Sequence, residues 1–238
     1  MKISILHPSR GRSEQAFLAM CNFTDMMSHT IDYEYILSVD TDDKSPYTFI
    51  DVGFGERYKK IINPNHNVVQ AANAAAEIAT GDILILISDD FTAHRHWDIT
   101  ITQALEGKSG VLKTYDGVQS WIVTLPIMTG DYYDEQGHIY FPKYEHMFCD
   151  TDQTHKADLE KKLIIRNDIV FLHHHYSTEG GWPKDAISRK ADLTWKQGEA
   201  VYLQRCMNRF GLGDIDIYDL SPEAKKAGHV AWLKKKLR

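Results

Sequence analysis

Two adjacent carboxylates stand at the end of the most apolar run of the sequence. The run is Ile83 to Ile87, and Ser88, Asp89 and Asp90 follow it directly. Neighbouring carboxylates repel each other and lose hydration on burial, unless a cation or hydrogen-bond donors offset the cost. A hard divalent cation such as Mg²⁺ or Mn²⁺ binds carboxylate oxygens together with oxygens of nucleotide phosphates. The triplet therefore indicates either a metal site or an acidic turn that caps the next helix.

Three consecutive histidines form the second candidate group, in Phe171-Leu172-His173-His174-His175. The apolar residues before them indicate a strand, in which side chains alternate between two faces. Two imidazoles on one face can ligate a borderline metal, although histidines also tolerate exposed surface positions. We predict that His173 and His175 face the site and that His174 does not.

A third group is Asp150-Thr151-Asp152, at the predicted start of a helix. Either carboxylate could act as a general base toward a hydroxyl group. The alternative is structural, because Asp150 could cap the helix and Asp152 would then be favoured by the helix dipole.

The fourth group is the basic turn Arg10-Gly11-Arg12, which follows the first predicted strand. Arginine beside a glycine turn suits a phosphate or a planar base, and an exposed, solvated turn is the alternative. The sequence has no GxGxxG, Walker or HExxH pattern. The stretch Asp40 to Asp43 resembles the start of a calcium loop but lacks the later glycine and glutamate.

Short apolar runs and helical patterns alternate through the first half of the chain. Such alternation predicts βαβ units and a mostly parallel sheet, with ligands beyond the carboxyl ends of the strands. We expect Gly81 to close the second helix with a left-handed backbone. The predicted strands are Ile3 to Leu6, Tyr33 to Val39, Tyr58 to Ile62 and Ile83 to Ile87, and the predicted helices are Ser13 to Met27 and Val68 to Ala79.

The second half has a less regular pattern. Strands are predicted at Val111 to Lys113, Trp121 to Leu125 and Ile169 to His175, an extended piece at Tyr140 to Pro142, and helices at Asp150 to Lys162 and Lys190 to Phe210.

Composition is ordinary for a globular protein, with 43% hydrophobic and 25% charged residues in 238. No run approaches the roughly 20 apolar residues that span a bilayer, and the first apolar residues are too few for a signal peptide. Cys21, Cys149 and Cys206 are widely spaced and suggest reduced thiols. We therefore expect a cytoplasmic protein without a membrane span. The net charge of −6 argues against a broadly basic surface.

One continuous stretch, Asn65 to Asp90, resembles family 2 glycosyltransferases. It reads Asn65-His66-Asn67, then an alanine-rich helix with Asn73 in an Ala-Xaa-Asn core, then Gly81-Asp82, the apolar strand and Ser88-Asp89-Asp90 in the place of a DXD motif. The order and the spacing both match over 26 residues. Two positions depart from the pattern, because Ser88 replaces the first DXD aspartate and Cys149 replaces the glutamate before the base.

The resemblance implies roles for most of the residues above. Cys149-Asp150 is similar to the motif whose aspartate is the catalytic base, and His173 or His175 is similar to the late histidine that completes the metal site with Asp90. The implied nucleotide-sugar residues are Pro8, Arg10, Arg12, Asp40, Asp42, Asn73, Ser88 and Asp89.

The implied fold is α/β, a GT-A αβα sandwich with a central, mostly parallel sheet. One catalytic domain would cover residues 1–210, and residues 211–238 would form an extension of unknown role. The implied activity is metal-dependent, inverting sugar transfer with Mn²⁺ or Mg²⁺, from a nucleotide-diphosphate sugar, with UDP favoured, to an acceptor hydroxyl. The acceptor could be a polysaccharide, a lipid-linked sugar, a protein or a hydroxymethylated DNA base. The alternatives are a catalytically silent sugar-nucleotide or carbohydrate binding protein, and a sugar nucleotidyltransferase.

Overall fold

The computed structural model describes residues 1–49 and 55–238 of the chain. The strands are β1 (Lys2–Pro8), β2 (Asp32–Asp40), β3 (Tyr58–Asn63), β4 (Ile83–Leu86), β5 (Phe91–Thr92), β6 (Val111–Tyr115), β7 (Ile127–Thr129), β8 (Leu163–Val170) and β9 (Leu172–His173). The helices are α1 (Ser13–Asp25), α2 (Val68–Glu77), α3 (Trp97–Leu105), α4 (Gly130–Gln136), α5 (Cys149–Leu159), α6 (Ala186–Leu193), α7 (Trp195–Met207), α8 (Pro222–Lys226) and α9 (His229–Lys236), with a 3₁₀ turn at Arg209–Gly211. Among these helices, none combines the length and the apolar character that crossing a bilayer requires.

Within this described part, seven strands form one sheet in the order β3-β2-β1-β4-β7-β6-β8. β1 pairs in parallel with β2 and β4, β2 with β3, and β6 with β8. β7 runs antiparallel to both of its neighbours, β4 and β6. The predicted α/β class with a mostly parallel sheet is therefore confirmed. β4 lies at the centre, as expected from its apolar sequence, and is buried along its whole length.

Alternating side chains of the central strands build an apolar core on each face of the sheet. On one face, Ile5 of β1 packs in a cluster with Phe23 of α1 and Trp97 of α3. On the opposite face, Leu6 belongs to a cluster that contains residues of α2, α5 and α7, among them Tyr202. Helices thus cover both faces, which gives an αβα sandwich.

Gly81 serves close packing rather than helix termination, so the prediction of a left-handed cap is wrong. α2 ends at Glu77, and the left-handed backbone positions do not include Gly81. A Cβ atom on Gly81 would lie 2.6 Å from the backbone nitrogen of Ser4 in β1. The Gly81 N–H also donates to the Ser4 hydroxyl at 2.8 Å. A side chain here would therefore push the start of β4 away from β1.

The predicted strand from Trp121 to Leu125 is a loop, and β7 follows it. Trp121, Val123 and Leu125 are all almost fully buried, which produces the strand-like alternation. The Val123 N–H, however, donates to the Thr154 hydroxyl at 2.9 Å rather than to a neighbouring strand. The alternation thus reflects a loop packed on the core. Residues 140–142, predicted as extended, likewise form a bend and the start of a turn.

The predicted strand from Ile169 to His175 is divided between two sheets. β8 continues the main sheet beside β6, with an irregular register between Thr114 and Tyr115. β9 instead pairs with β5 in a separate two-stranded sheet, with Phe91 opposite His173. The change of partner carries the chain from the edge of the main sheet to the loop that follows β4.

The predicted helix from Lys190 to Phe210 is divided into α6 and α7, and a 3₁₀ turn follows. At the junction, the Thr194 hydroxyl donates to the Ala191 carbonyl at 2.8 Å and accepts from the Met147 N–H at 3.1 Å. Gly198 of α7 lies so close to this loop that a Cβ atom would be 2.1 Å from the Met147 carbonyl oxygen. The junction therefore fixes α7 against the segment that leads into α5.

The segment after residue 210 packs on the same face of the sheet as α7. Leu233 of α9 is completely buried in that core cluster. His229 Nε2 lies 2.7 Å from the Tyr202 hydroxyl of α7. The division into a domain of residues 1–210 and an extension of unknown role at 211–238 stays a prediction, but α9 contributes directly to the core.

Glu34 of β2 provides the first test of this packing. It is 2% exposed and accepts hydrogen bonds from Ser4, from Thr80 and from Lys59 at 2.7–2.9 Å. Burial alone would raise the pKa of Glu34, but these donors outweigh it and lower the pKa from 4.5 to about 2. The charged form therefore joins four strands or their loops.

We expect Glu34→Gln to lower the free energy of unfolding by about 2 kcal/mol at pH 7, because hydrogen bonds to a buried charge are lost. Since the folded pKa lies below the unfolded one, this stabilisation is complete above about pH 4.5 and is lost as the pH falls toward 2. Urea unfolding at pH 7 and pH 3 measures the difference, with the exposed Glu106→Gln as control. An equal loss at both pH values would contradict the assignment.

Candidate active site

The carboxyl ends of the first strands meet at one edge of the sheet. In the register of the sheet, Leu6 of β1 lies beside Leu86 of β4, and Pro8 lies beside Ser38 of β2. Pro8, the last residue of β1, is buried there. The loops that carry the predicted site residues therefore leave the sheet side by side, where ligands bind in parallel α/β folds.

The two carboxylates after β4 point to different partners. The Ser88 hydroxyl donates to Asp90 Oδ1 at 2.5 Å. Asp89 is 6% exposed, and its Oδ1 lies 3.0 Å from His7 Nε2, while its Oδ2 lies 3.9 Å from Arg12 Nη1. Separate partners thus relieve the repulsion that the sequence pattern would otherwise impose.

His173 lies between two carboxylates. Its Nε2 is 3.4 Å from Asp90 Oδ2, and its Nδ1 is 3.8 Å from Asp116 Oδ2. The ring stacks on Phe91 with 4.3 Å between centroids and 15° between planes. Burial by itself would lower the pKa of His173, but the Asp116 and Asp90 carboxylates outweigh it and raise the pKa to about 9. Burial would likewise raise the pKa of Asp90, yet His173 and Ser88 hold that pKa well below its usual value.

The other two histidines of the run have different surroundings. His174 Nε2 lies 3.2 Å from the Thr92 hydroxyl, and the ring stacks on Trp182. His175 lies beside His173, with 5.1 Å between ring centroids, and its Nδ1 is 2.6 Å from the Ser177 hydroxyl. The structure thus brings His173 and His175 together near Asp90, whereas His174 contacts Thr92.

A divalent cation would have two protein ligands here. In the part of the chain that the structure describes, no group of three or more His, Cys, Asp or Glu side chains is arranged to hold a metal ion. Asp90 Oδ2 and His173 Nε2 are 3.4 Å apart. Adjacent ligands of one cation, each at about 2.1 Å from it, are roughly 3 Å apart. The pair therefore fits a site whose remaining positions are filled by phosphate oxygens and water.

Asp150 is the second residue of α5, and the helix cap is Phe148, which has a left-handed backbone with φ 71°. The alternative in which Asp150 caps the helix is therefore wrong. Asp150 Oδ1 accepts a hydrogen bond from the Thr151 N–H at 2.6 Å. Burial raises the pKa of Asp150, and the negative charge of Asp116 adds to this effect. A carboxylate with a raised pKa binds a proton more readily, as a general base must.

Asp152, the other carboxylate of this motif, has a structural role. It is 2% exposed and accepts hydrogen bonds from Arg205 Nε and from the Tyr144 hydroxyl, both at 2.9 Å. These contacts join α5 to α7.

The basic turn is paired with the acidic loop after β2. Arg10 donates to Asp40 and, at 2.6 and 2.9 Å, to both oxygens of Asp42. Hydrogen bonding by Arg10 lowers the pKa of Asp42 to about 2. Arg12 instead donates to Asp185, just before α6, at 2.7 and 2.8 Å.

A cavity of about 140 Å³ opens next to the paired loops, at the ends of β2 and β3. Its walls include Asp40, Asp43, Ser45, Tyr47 and Ile62. Acidic and apolar side chains lie side by side there, so the wall offers both hydrogen-bond acceptors and an apolar surface to a ligand.

Asn73 has its amide engaged within the protein. Its Oδ1 accepts from the Ile139 and Tyr140 N–H groups at 3.0 and 3.1 Å, and its Nδ2 donates to the Tyr140 carbonyl at 2.8 Å. The side chain thereby holds the 139–140 loop against α2. Its predicted role in nucleotide-sugar binding stays a prediction.

Several residues at this edge are absent from the sequence-based site. They are His7 beside Asp89, Asp116 beside His173, and Asp185 beside Arg12. Asp116 follows the strand β6 directly, so the rule that selected Ser88 to Asp90, an acidic residue at a strand end, could have found it. His7 lies inside β1, where no pattern marks it, whereas Asp185 caps α6 by accepting from the Ser188 N–H at 2.8 Å, a position that favours aspartate.

Comparison with known proteins gives similarity at the level of structure. No protein-family model matches the sequence, and no curated protein matches it. A mannosyltransferase, PcManGT from Pyrobaculum calidifontis in complex with GDP-Man and Mn²⁺, superposes with a TM-score of 0.69 at 12% identity, covering 97% of this chain and 69% of that chain. S. aureus TarS 1–349 in complex with UDP-GlcNAc gives 0.61 at 14% identity, covering 100% and 88%.

These neighbours extend over nearly the whole chain, including the sheet edge described above. Because their sequence identity to this chain is low, these neighbours are evidence about the fold alone. That fold is the one implied by the resemblance over Asn65 to Asp90. The chain therefore has the GT-A fold, with helices on both faces of a mostly parallel sheet.

Proposed function

We propose that the chain is a glycosyltransferase that moves a sugar from a nucleoside diphosphate sugar to an acceptor hydroxyl, with a divalent cation. The observation that carries the proposal is the meeting of Asp90 and His173 at the end of the central strand. On this fold, the Pyrobaculum mannosyltransferase is described with GDP-Man and Mn²⁺, and TarS with UDP-GlcNAc.

The nucleotide would lie along the ends of β1 and β2. Asp40 and Asp43 in the cavity wall offer acceptors to a base, and Arg12, 16% exposed, offers a guanidinium toward the diphosphate. UDP is the favoured nucleotide because of the resemblance over Asn65 to Asp90. The affinity for GDP should be measured beside that for UDP, since the Pyrobaculum complex contains GDP-Man.

Asp90 and His173 would hold the cation, which when bound neutralises the charge that develops on the departing diphosphate. Ser88 replaces the first aspartate of the DXD pattern, and its hydroxyl binds Asp90 Oδ1. This bond fixes the Asp90 carboxylate so that its other oxygen faces His173. In this proposal Ser88 orients the ligand instead of binding the cation.

Asp150 would take the proton from the acceptor hydroxyl as the oxygen attacks the anomeric carbon. Its raised pKa and its place at the start of α5 support this role. A base opposite the leaving diphosphate leads to a single displacement, so we propose inversion at the anomeric carbon. The four hydroxyl classes named above are the acceptors to test.

The central test is nucleotide binding. Calorimetry with UDP and GDP, each with and without Mn²⁺, should show cation-dependent affinity for at least one of them. Release of UDP from UDP-sugars in the presence of Mn²⁺ then separates an active enzyme from a silent binding protein. Absence of any nucleotide binding would contradict the proposal.

We expect Asp90→Ala to abolish the Mn²⁺-dependent part of UDP binding, because one of the two protein ligands is removed. Calorimetry with Mn²⁺ present measures the effect. The exposed Asp134→Ala on α4 is the matched control and should bind as the wild type does. Unchanged affinity in Asp90→Ala would move the cation to another site.

We expect Asp150→Asn to retain donor binding and to lower kcat by roughly a hundredfold or more, because the nearly isosteric amide cannot accept the acceptor proton. Donor affinity and turnover are measured on the same preparation. Asp152→Asn is the control, because it removes the charge that pairs with Arg205. This variant should be less thermally stable, but its folded fraction should keep the turnover of the wild type. Full turnover in Asp150→Asn would remove Asp150 from the mechanism.

A further inference from the structure

Asp116 is a buried carboxylate that the proposed mechanism does not use. It lies in the loop after β6 and is 2% exposed. Its Oδ1 accepts hydrogen bonds from the Val118 and Gln119 N–H groups at 2.7 and 2.6 Å, and its Oδ2 accepts from the Thr124 hydroxyl at 2.6 Å. Three donors thus hold the carboxylate in one orientation.

This fixed carboxylate faces His173 from the side opposite Asp90. The His173 backbone N–H donates to the Asp116 carbonyl at 3.0 Å, which ties the two segments together. Asp116 Oδ2 is 3.8 Å from Nδ1 of the ring, while Asp90 Oδ2 is 3.4 Å from Nε2. Stacking on Phe91 restricts the ring to its plane. Shortening the distance between Nδ1 and Oδ2 by about 0.6 Å brings the two atoms into hydrogen-bond range.

The burial of Asp116 limits what it can do. A base must reach an acceptor hydroxyl, and a metal ligand must face the cation, but Asp116 is 2% exposed and its Oδ2 faces the Nδ1 side of His173. The negative charge of Asp116 can therefore act on Nδ1 of His173, which it faces. Histidines that bind metals commonly donate their second N–H to a carboxylate, which fixes the ring and the nitrogen that binds.

We infer that Asp116 is a positioning residue that holds Nδ1–H of His173, so that Nε2 is presented to the cation beside Asp90. The inference rests on the proposed function, because it assigns a role toward the same cation. It places the Asp116 carboxylate behind the histidine rather than on the metal.

Asp116→Asn tests the inference with little change in shape. The amide oxygen can still accept from Val118 and Gln119, and the Thr124 hydroxyl can turn to accept from the amide NH₂. That NH₂ group, however, presents a donor to Nδ1–H. We expect the Mn²⁺ affinity of the UDP complex to fall about 10- to 100-fold by calorimetry, with UDP affinity in the absence of metal unchanged.

A double-mutant cycle separates positioning from a structural effect. In the His173→Ala background, Asp116→Asn should cause no further loss of Mn²⁺ affinity, because the residue it acts through is gone. Asp152→Asn is the control, since it removes the charge of another carboxylate that is 2% exposed and that pairs with Arg205 rather than with His173. It should lower thermal stability and leave Mn²⁺ affinity within twofold of the wild type.

A spectroscopic readout needs no variant. With histidine labelled with ¹⁵N at Nε2 alone, pulsed EPR of the Mn²⁺–UDP complex should show the directly bound nitrogen as ¹⁵N. Direct binding through Nδ1, or equal losses from Asp116→Asn with and without His173, would overturn the positioning role alone. If the wild-type chain shows no Mn²⁺-dependent nucleotide binding, the proposed function is overturned as well.

Discussion

The cost of burying carboxylates at the sheet edge organises this molecule. A buried carboxylate is tolerated only where donors or a positive charge replace its water. Asp89 uses His7 of β1, Asp116 uses Thr124 and the loop backbone, and Asp152 uses Arg205 of α7. The partners of Asp89 and Asp152 are remote in sequence, so these two pairings stabilise the buried charges and also hold distant segments of the chain together.

Much of this arrangement could be predicted from the sequence, because parallel strands end at a common edge. The apolar run from Ile83 located Ser88, Asp89 and Asp90 at that edge, and the resemblance over Asn65 to Asp90 supplied the fold. His173 was named from strand alternation and the late-histidine pattern. The partners of these residues were harder to predict. Ser88 and Asp90 are only two residues apart, but the pairing of His173 with Asp116 depends on how the two sheets meet.

The errors have a common physical origin, which is that tertiary packing can imitate or replace a local signal. Trp121 to Leu125 alternates because a loop buries every second side chain. Gly81 looks like a helix terminator, but its missing side chain is required by the approach of Ser4. The pattern from Lys190 to Phe210 is helical almost throughout, and the break depends on Thr194 binding a loop that is remote in sequence.

The near contact between Gly198 and the Met147 carbonyl has a mechanical consequence. Because no space for a methyl group separates them, α7 cannot move closer to the segment that opens α5 without displacing it. The segment before α5 is thus packed against a helix that lies almost fifty residues further along the chain. The smallest fragment able to keep Asp150 in place must therefore extend through α7, well beyond the last strand of the sheet.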